Sequence, residues 1–332
     1  MNIVFSFFPV LLFLMFLFLL DSFKLVRVKT LILCLLWGGV CTFACYFLNN
    51  LMAKWLAFDF IPLYAAPVIE ELLKALIIFY LISKKKIGFM IDAAIYGFAI
   101  GAGFSLVENI YYMFNISHEY NMLIWIIRGF GTAIMHGGCT SLIAVLFIRG
   151  VSRTENKLLA SLPGLILAFL LHSGFNHFLA NPPLQTLLIV VFLPILFALI
   201  FRFSNAMLQQ WLEIEFNSEV EIMNMIKKGE FRSTKAGRYL LSIKDKFAPE
   251  TIVDMYCYIG LYLELSIKAK SNLMLKENGF KIIVEDDIQS KLKELDQLRK
   301  QIGIVGEFAL APLIRMNYRN LWKLNSLKYD HI

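Results

Sequence analysis

The sequence predicts an all-α fold. Residues 1–203 read as a polytopic membrane bundle of about seven transmembrane helices, and residues 204–332 as a small C-terminal helical cytoplasmic domain. Three observations carry this. Of the 332 residues, 58% are hydrophobic and only 17% are charged, against about 45–50% and about 25% in a soluble chain. Residues 1–203 hold 13 Lys/Arg and 8 Asp/Glu, whereas residues 204–332 hold 19 and 17. Within the first part, long apolar runs are separated by short loops that are basic on alternate sides, the positive-inside pattern.

The elements follow in order. Residues 2–20 are apolar, with no basic residue before them and Lys24, Arg27 and Lys29 after them. This predicts a retained helix with its N-terminus outside; a cleaved signal peptide is the alternative. Helix two is expected over residues 30–49. Helix three, residues 58–82, ends at Lys84-Lys85-Lys86, a cytoplasmic end. Helix four spans 89–114, and the loop 115–121 lies outside. Its Asn115-Ile116-Ser117 fits a glycosylation sequon, which matters only in a eukaryotic secretory context and is discounted. Helix five spans 122–148. The loop after it carries Arg149, Arg153 and Lys157, again inside. Helix six spans 158–180 and is closed outside by Asn181-Pro182-Pro183; helix seven spans 184–203 and ends at Arg202 inside.

The tail has no apolar run of about 18 residues, so it is not expected to span. Ile288, Leu292, Leu295, Leu298 and Ile302 recur at helical spacing, with Asp286 and Asp287 at the start and Gly303 as the stop. Residues 219–228 and 252–268 also read as helices. The net charge of +7 is accounted for by cytoplasmic loops and requires no nucleic-acid partner. Cys34, Cys41, Cys45, Cys139 and Cys257 form no ligand or disulfide pattern; four of them fall in membrane helices as small packing residues.

Helix three carries Glu70, Glu71 and Lys74 in an otherwise apolar run. Charge at that depth marks a functional site. A helical ion pair with Lys74 at i,i+4 or i,i+3 neutralises one carboxylate and leaves the other over. Glu70 and Glu71 lie about 20 Å from the outer end at 1.5 Å per residue, and His136 on helix five lies at a similar depth. His172 and Glu108 lie nearer the outer face, and the five can meet in one cavity in the outer half of the bilayer if helices tilt or the cavity dips inward. His172 and Asn176, four residues apart, share a helix face. A carboxylate beside imidazoles is what activation of water needs. Glu71, His136 and His172 would also suit zinc, although no His-Glu-x-x-His helix is present. Glu108 with Asn109 can equally be helix-packing glue, and His136, among glycines, a satisfied core histidine. Asp92 and Arg128 read as interface or packing groups. His177 and His331 are not expected to take part in chemistry.

These blocks resemble the PrsW family of bacterial intramembrane proteases. The resemblance rests on Glu70-Glu71-x-x-Lys74, on Asp92-x-x-x-Tyr96-Gly97 running to Gly103-Phe104-x-x-x-Glu108-Asn109, on Arg128 with His136, and on His172-x-x-x-Asn176. It covers about residues 60–180 and leaves out the tail. The family is related to the CAAX prenyl proteases and their Abi relatives, whose Phe-x-x-x-His motif ends here in Glu108. The resemblance implies an endopeptidase of the bacterial inner membrane that cuts a membrane-bound protein near the outer face, in the founding role an anti-sigma factor. It implies that Glu70, Glu71, His136 and His172 carry the reaction, with Asn176 assisting. Both metal-dependent and metal-free glutamic mechanisms have been described for such proteins. With no ligand motif complete, the sequence favours the metal-free one over Zn2+. The alternatives are a CAAX/Abi-type protease, a proton-coupled transporter or channel using the same Glu and His residues, and a scaffold acting through its tail. No internal repeat of the transporter kind is evident. Expected partners are the membrane-protein substrate, the bilayer and a cytoplasmic partner for residues 204–332.

Overall fold

Each apolar run forms a helix. The computed structural model describes residues 2–115, 122–282, 287–314 and 318–328, and among them there is no strand. Residues 116–121 of the expected outer loop, Asp286 and His331 lie outside the described residues.

The chain divides into two compact units, Met1–Asn205 and Ala206–Ile332. The first contains α1 (Asn2–Leu19), α2 (Val28–Met52), a π-helical turn Ile61–Ala65 running into α3 (Ala66–Ser83), and α4 (Met90–Asn115). Next come α5 (Met122–Ile126), a second π-helical stretch Ile127–Thr132 leading into α6 (Ala133–Val151), and α7 (Lys157–Asn176). Among the described residues five stretches are long and apolar enough to cross a membrane: Val28–Met52, Met90–Asn115, Met122–Val151, Lys157–Asn176 and Pro182–Lys227. The expected first and third spans form helices but stand apart from this set. α1 is short, and α3 carries Glu70, Glu71 and Lys74.

α4 is the central helix, with Met90–Ser105 buried on every side. Small residues let its neighbours approach. At Gly101 a Cβ would collide with the backbone of α6 at His136 and Gly137, so this glycine sets how closely α4 sits behind His136. The start of α4 is closed by Asp92, whose carboxylate accepts from the N–H groups of Gly88 at 2.7 Å and Phe89 at 2.8 Å. Asp92, the third residue of α4, thus reaches back to satisfy N–H groups that precede the helix, as the acidic member of a capping box does.

The seventh apolar run does not stop near residue 203. It continues as α8 (Pro182–Lys227), because residues 204–227 contain neither Gly nor Pro and the first breaker is Gly229.

The second unit holds α9 (Lys235–Ser242), α10 (Pro249–Glu277), α11 (Ile288–Leu310) and α12 (Tyr318–Leu327). Ile288, Leu292, Leu295, Leu298 and Ile302 are all buried in its core with Met255, Tyr258 and Tyr262. Gly303 bends the helix rather than ending it. It takes φ +66°, ψ 178°, and the chain resumes helical geometry up to Leu310. A bidentate pair spans the bend, Arg299 Nε to Glu307 Oε2 at 2.9 Å and Nη2 to Oε1 at 2.5 Å. Two lysines are wholly buried: Lys270 pairs with Glu215 at 3.2 Å and Glu219 at 3.0 Å, and Lys323 with Glu219 at 3.1 Å.

Candidate active site

Four elements of the membrane unit bring ionisable groups to one point. α3 contributes Glu70, Glu71 and Lys74 on adjoining faces of one turn. α4 contributes Glu108, α6 His136, and α7 His172. Glu71, Lys74, His136 and His172 are each no more than 2% exposed, and Glu70 is 8% exposed.

Glu71 is fully engaged. Its Oε1 accepts from Lys74 Nζ at 2.6 Å and faces His172 Nδ1 at 2.9 Å, while its Oε2 faces the Thr140 hydroxyl at 3.5 Å. A carboxylate on Nδ1 assigns the proton of His172 to that nitrogen and leaves a lone pair on Nε2. That Nε2 lies 3.8 Å from Glu70 Oε2. Lys74 Nζ also reaches His136 Nδ1 at 3.2 Å and sits 4.6 Å over the Phe104 ring. His136 Nε2 faces Glu108 Oε2 at 3.5 Å, and that oxygen is 3.1 Å from Arg128 Nη2. The two imidazoles meet edge to face, 4.7 Å between centroids.

Glu70 differs from Glu71. Its Oε2 is buried and makes no hydrogen bond among the described residues. Glu70, His136 and His172 each offer a ligand atom, all within 4.8 Å of one another. Two histidines and a carboxylate form a known catalytic zinc set. With neutral imidazoles and all three carboxylates ionised, the carboxylates outnumber the two cations Lys74 and Arg128 by one, a charge that a divalent cation suits. The residues fit a metal. Ligation through His136 Nε2 takes the tautomer opposite to the one Lys74 favours.

The cluster unites Glu70, Glu71, His136, His172 and Glu108. The ligand group contains Glu70 where the sequence reading had placed Glu71, because Lys74 and His172 Nδ1 occupy Glu71. Asn176 is not in the cluster: its Nδ2 donates to the Pro62 carbonyl at 2.8 Å, tying the end of α7 to the π-helical turn before α3. His177 is also elsewhere, its Nδ1 at 2.6 Å from the Ser173 carbonyl and its ring against Tyr64. Arg128, read from sequence as an interface group, instead pairs with Glu108 and donates from Nε to Asn109 at 2.9 Å. Its position in the π-helical stretch Ile127–Thr132 turns it toward α4, which residue spacing alone does not reveal. Thr140 was missed, although it stands four residues after His136, on the same helix face.

Fold and site define a polytopic integral membrane protein with a buried Glu/His/His centre. The model of the PrsW family intramembrane metalloproteases matches residues 27–200, just over half the chain. The chain belongs to this family and is a peptidase. No curated protein and no solved structure matches it.

Proposed function

We propose that the chain hydrolyses a peptide bond of a membrane-bound protein inside the bilayer, at Glu70, His136 and His172. The observation that carries this is the buried Glu70 Oε2, which makes no hydrogen bond among the described residues, within a group of ligand-type atoms. Such an atom is costly unless a cation, a proton or a water meets it. The metal-free mechanism favoured by the sequence gives way here to a metal-dependent one, since the family is one of metalloproteases and the ligand group is compact. Glu70, His136 and His172 would hold the ion, Zn2+ being the chemical match. Bound there, it would polarise the scissile carbonyl and lower the pKa of water.

The other residues have separate work. Glu71 orients His172 through Nδ1–H, as outer carboxylates do for ligating histidines. Lys74 neutralises Glu71. Glu108, steadied by Arg128, lies beside His136 Nε2, where it takes up and returns a proton. Phe104 covers Lys74 and keeps bulk water away from it.

The basic loops between the apolar runs support a chain with its N-terminus outside and its tail in the cytoplasm of a bacterial cell. The centre then lies in the outer half of the bilayer, and the substrate is cut near the outer face, as an anti-sigma factor would be. Residues 204–332 would act from inside as a regulatory or partner-binding domain. The test is cleavage of a single-span peptide by the purified full chain in liposomes. Products that sum to the peptide plus one water, lost in His172→Ala, support hydrolysis at this site. Equal cleavage by His172→Ala refutes it.

A further inference from the structure

A groove of about 560 Å³ opens between α6, α7 and α8. Two of its three helices, α6 and α7, also carry His136 and His172, which do not themselves line it. Met135 and Cys139 line it, one residue before and three after His136 in the chain, and Leu171 and Phe175 line it at the same offsets from His172. Its wall is otherwise aliphatic and aromatic, with one amide, Gln185. Gln185 Nε2 donates to the Phe175 carbonyl at 2.9 Å, which fixes the amide's orientation. Its Oε1 is buried and takes no hydrogen bond among the described residues.

A lipid acyl chain would fill the groove but offers nothing to that oxygen. A peptide offers an N–H. Within a helix the N–H groups are already paired, but a segment opened for hydrolysis exposes them, and in hydrocarbon each must find a partner. We propose that the groove seats apolar residues of a membrane-spanning substrate segment, locally unwound beside the scissile bond, and that Gln185 Oε1 accepts one of its backbone N–H groups. Gln185 is a positioning residue. The assignment rests on the hydrolytic reading above and names where its substrate lies.

The test is photocrosslinking by the full chain in phosphatidylethanolamine/phosphatidylglycerol vesicles, with benzoylphenylalanine replacing Leu188 in the groove wall or Leu162 on the outward face of α7. The probes are a lysine-flanked Leu/Ala single-span peptide with a central Gly-Gly, and a phospholipid with an alkyne-tagged acyl chain. Peptide capture at position 188 is expected to exceed that at 162 by about fivefold or more, and Gln185→Leu to lower it about fivefold, the worth of one hydrogen bond. Leu196→Trp, which fills the groove from α8, is expected to abolish it and decides the matter if Gln185→Leu does not fold. Equal peptide capture at both positions, lipid capture alone at 188, or capture unchanged in Leu196→Trp overturns the proposal. Capture needs no turnover, so a parent chain that captures the peptide but never cuts it sinks the hydrolytic reading and leaves the groove standing.

Discussion

A single oxygen, Oε1 of Glu71, lies 2.6 Å from Lys74 Nζ and 2.9 Å from His172 Nδ1. It therefore balances a wholly buried ammonium and sets the tautomer of a candidate ligand at once. Glu71→Gln leaves Lys74 charged without its bonded carboxylate, and its expected cost is about 3–5 kcal/mol. Thermal unfolding in detergent reads this. Adding Lys74→Met is expected to recover most of the loss, while activity stays about 10–100-fold low because His172 has lost its orienting carboxylate. A Glu71→Gln chain as stable as the parent contradicts this account of the pair.

Asn176 and His177 touch backbone carbonyls outside the cluster. Asn176→Ala and His177→Ala are each expected to cost about 0.5–1.5 kcal/mol of stability and to change kcat/KM by a few-fold at most. A loss in Asn176→Ala equal to that in His172→Ala would return the amide to the chemistry.

Arg128 pairs with Glu108 at 3.1 Å and stacks 3.7 Å over Tyr112. Arg128→Ala frees Glu108 from its counter-charge, and kcat is expected to fall by about 10²-fold, the scale of general acid–base assistance, with KM little changed. Arg128→Lys keeps the charge and is expected to recover part of the rate. A purely structural role predicts equal rates, per folded molecule, for both variants and the parent.

Much of this was legible in the sequence, for identifiable reasons. Buried charge in an apolar helix has few explanations, so Glu70, Glu71, His136 and His172 stood out. The five apolar positions from Ile288 to Ile302 showed helical spacing, and all are buried. What was not legible depended on contacts. Which of two adjacent glutamates meets Lys74 follows from side-chain packing, and sequence spacing allowed either. The π-helical stretch that turns Arg128 toward Glu108 has no sequence signature. His172-x-x-x-Asn176 suggested a shared face, but α7 ends at Asn176 and its amide finds Pro62 first. Gly303 read as a stop, yet a glycine at positive φ serves equally as a bend.

The tail carries a pH signature. Burial pushes Lys323 down to about 8, against the pull of Glu219. Between that value and the ordinary lysine value of about 10.4, the unfolded chain holds a proton that the folded one lacks, so stability rises with pH across this window. Burial also raises the pKa of Tyr262, which reverses the trend above about pH 10, where the unfolded tyrosine ionises. The urea midpoint of the tail, followed by pulse proteolysis of the full chain, is expected to be higher at about pH 9.5 than at about pH 7.5. Lys323→Met is expected to flatten the rise, and a midpoint that falls over this window contradicts the burial argument.

The central claim is that Glu70, whose Oε2 makes no hydrogen bond among the described residues, completes the reactive centre with His136 and His172. The measurement that tests it most directly is metal content and peptide cleavage on the same proteoliposomes, for the parent and Glu70→Gln. The account predicts one metal ion per parent chain, activity lost on chelation and restored by Zn2+, and a folded Glu70→Gln chain with metal affinity and cleavage each down by about 10²-fold or more. A Glu70→Gln chain that cuts within a few-fold of the parent, or a parent that stays fully active with its metal removed, would contradict it.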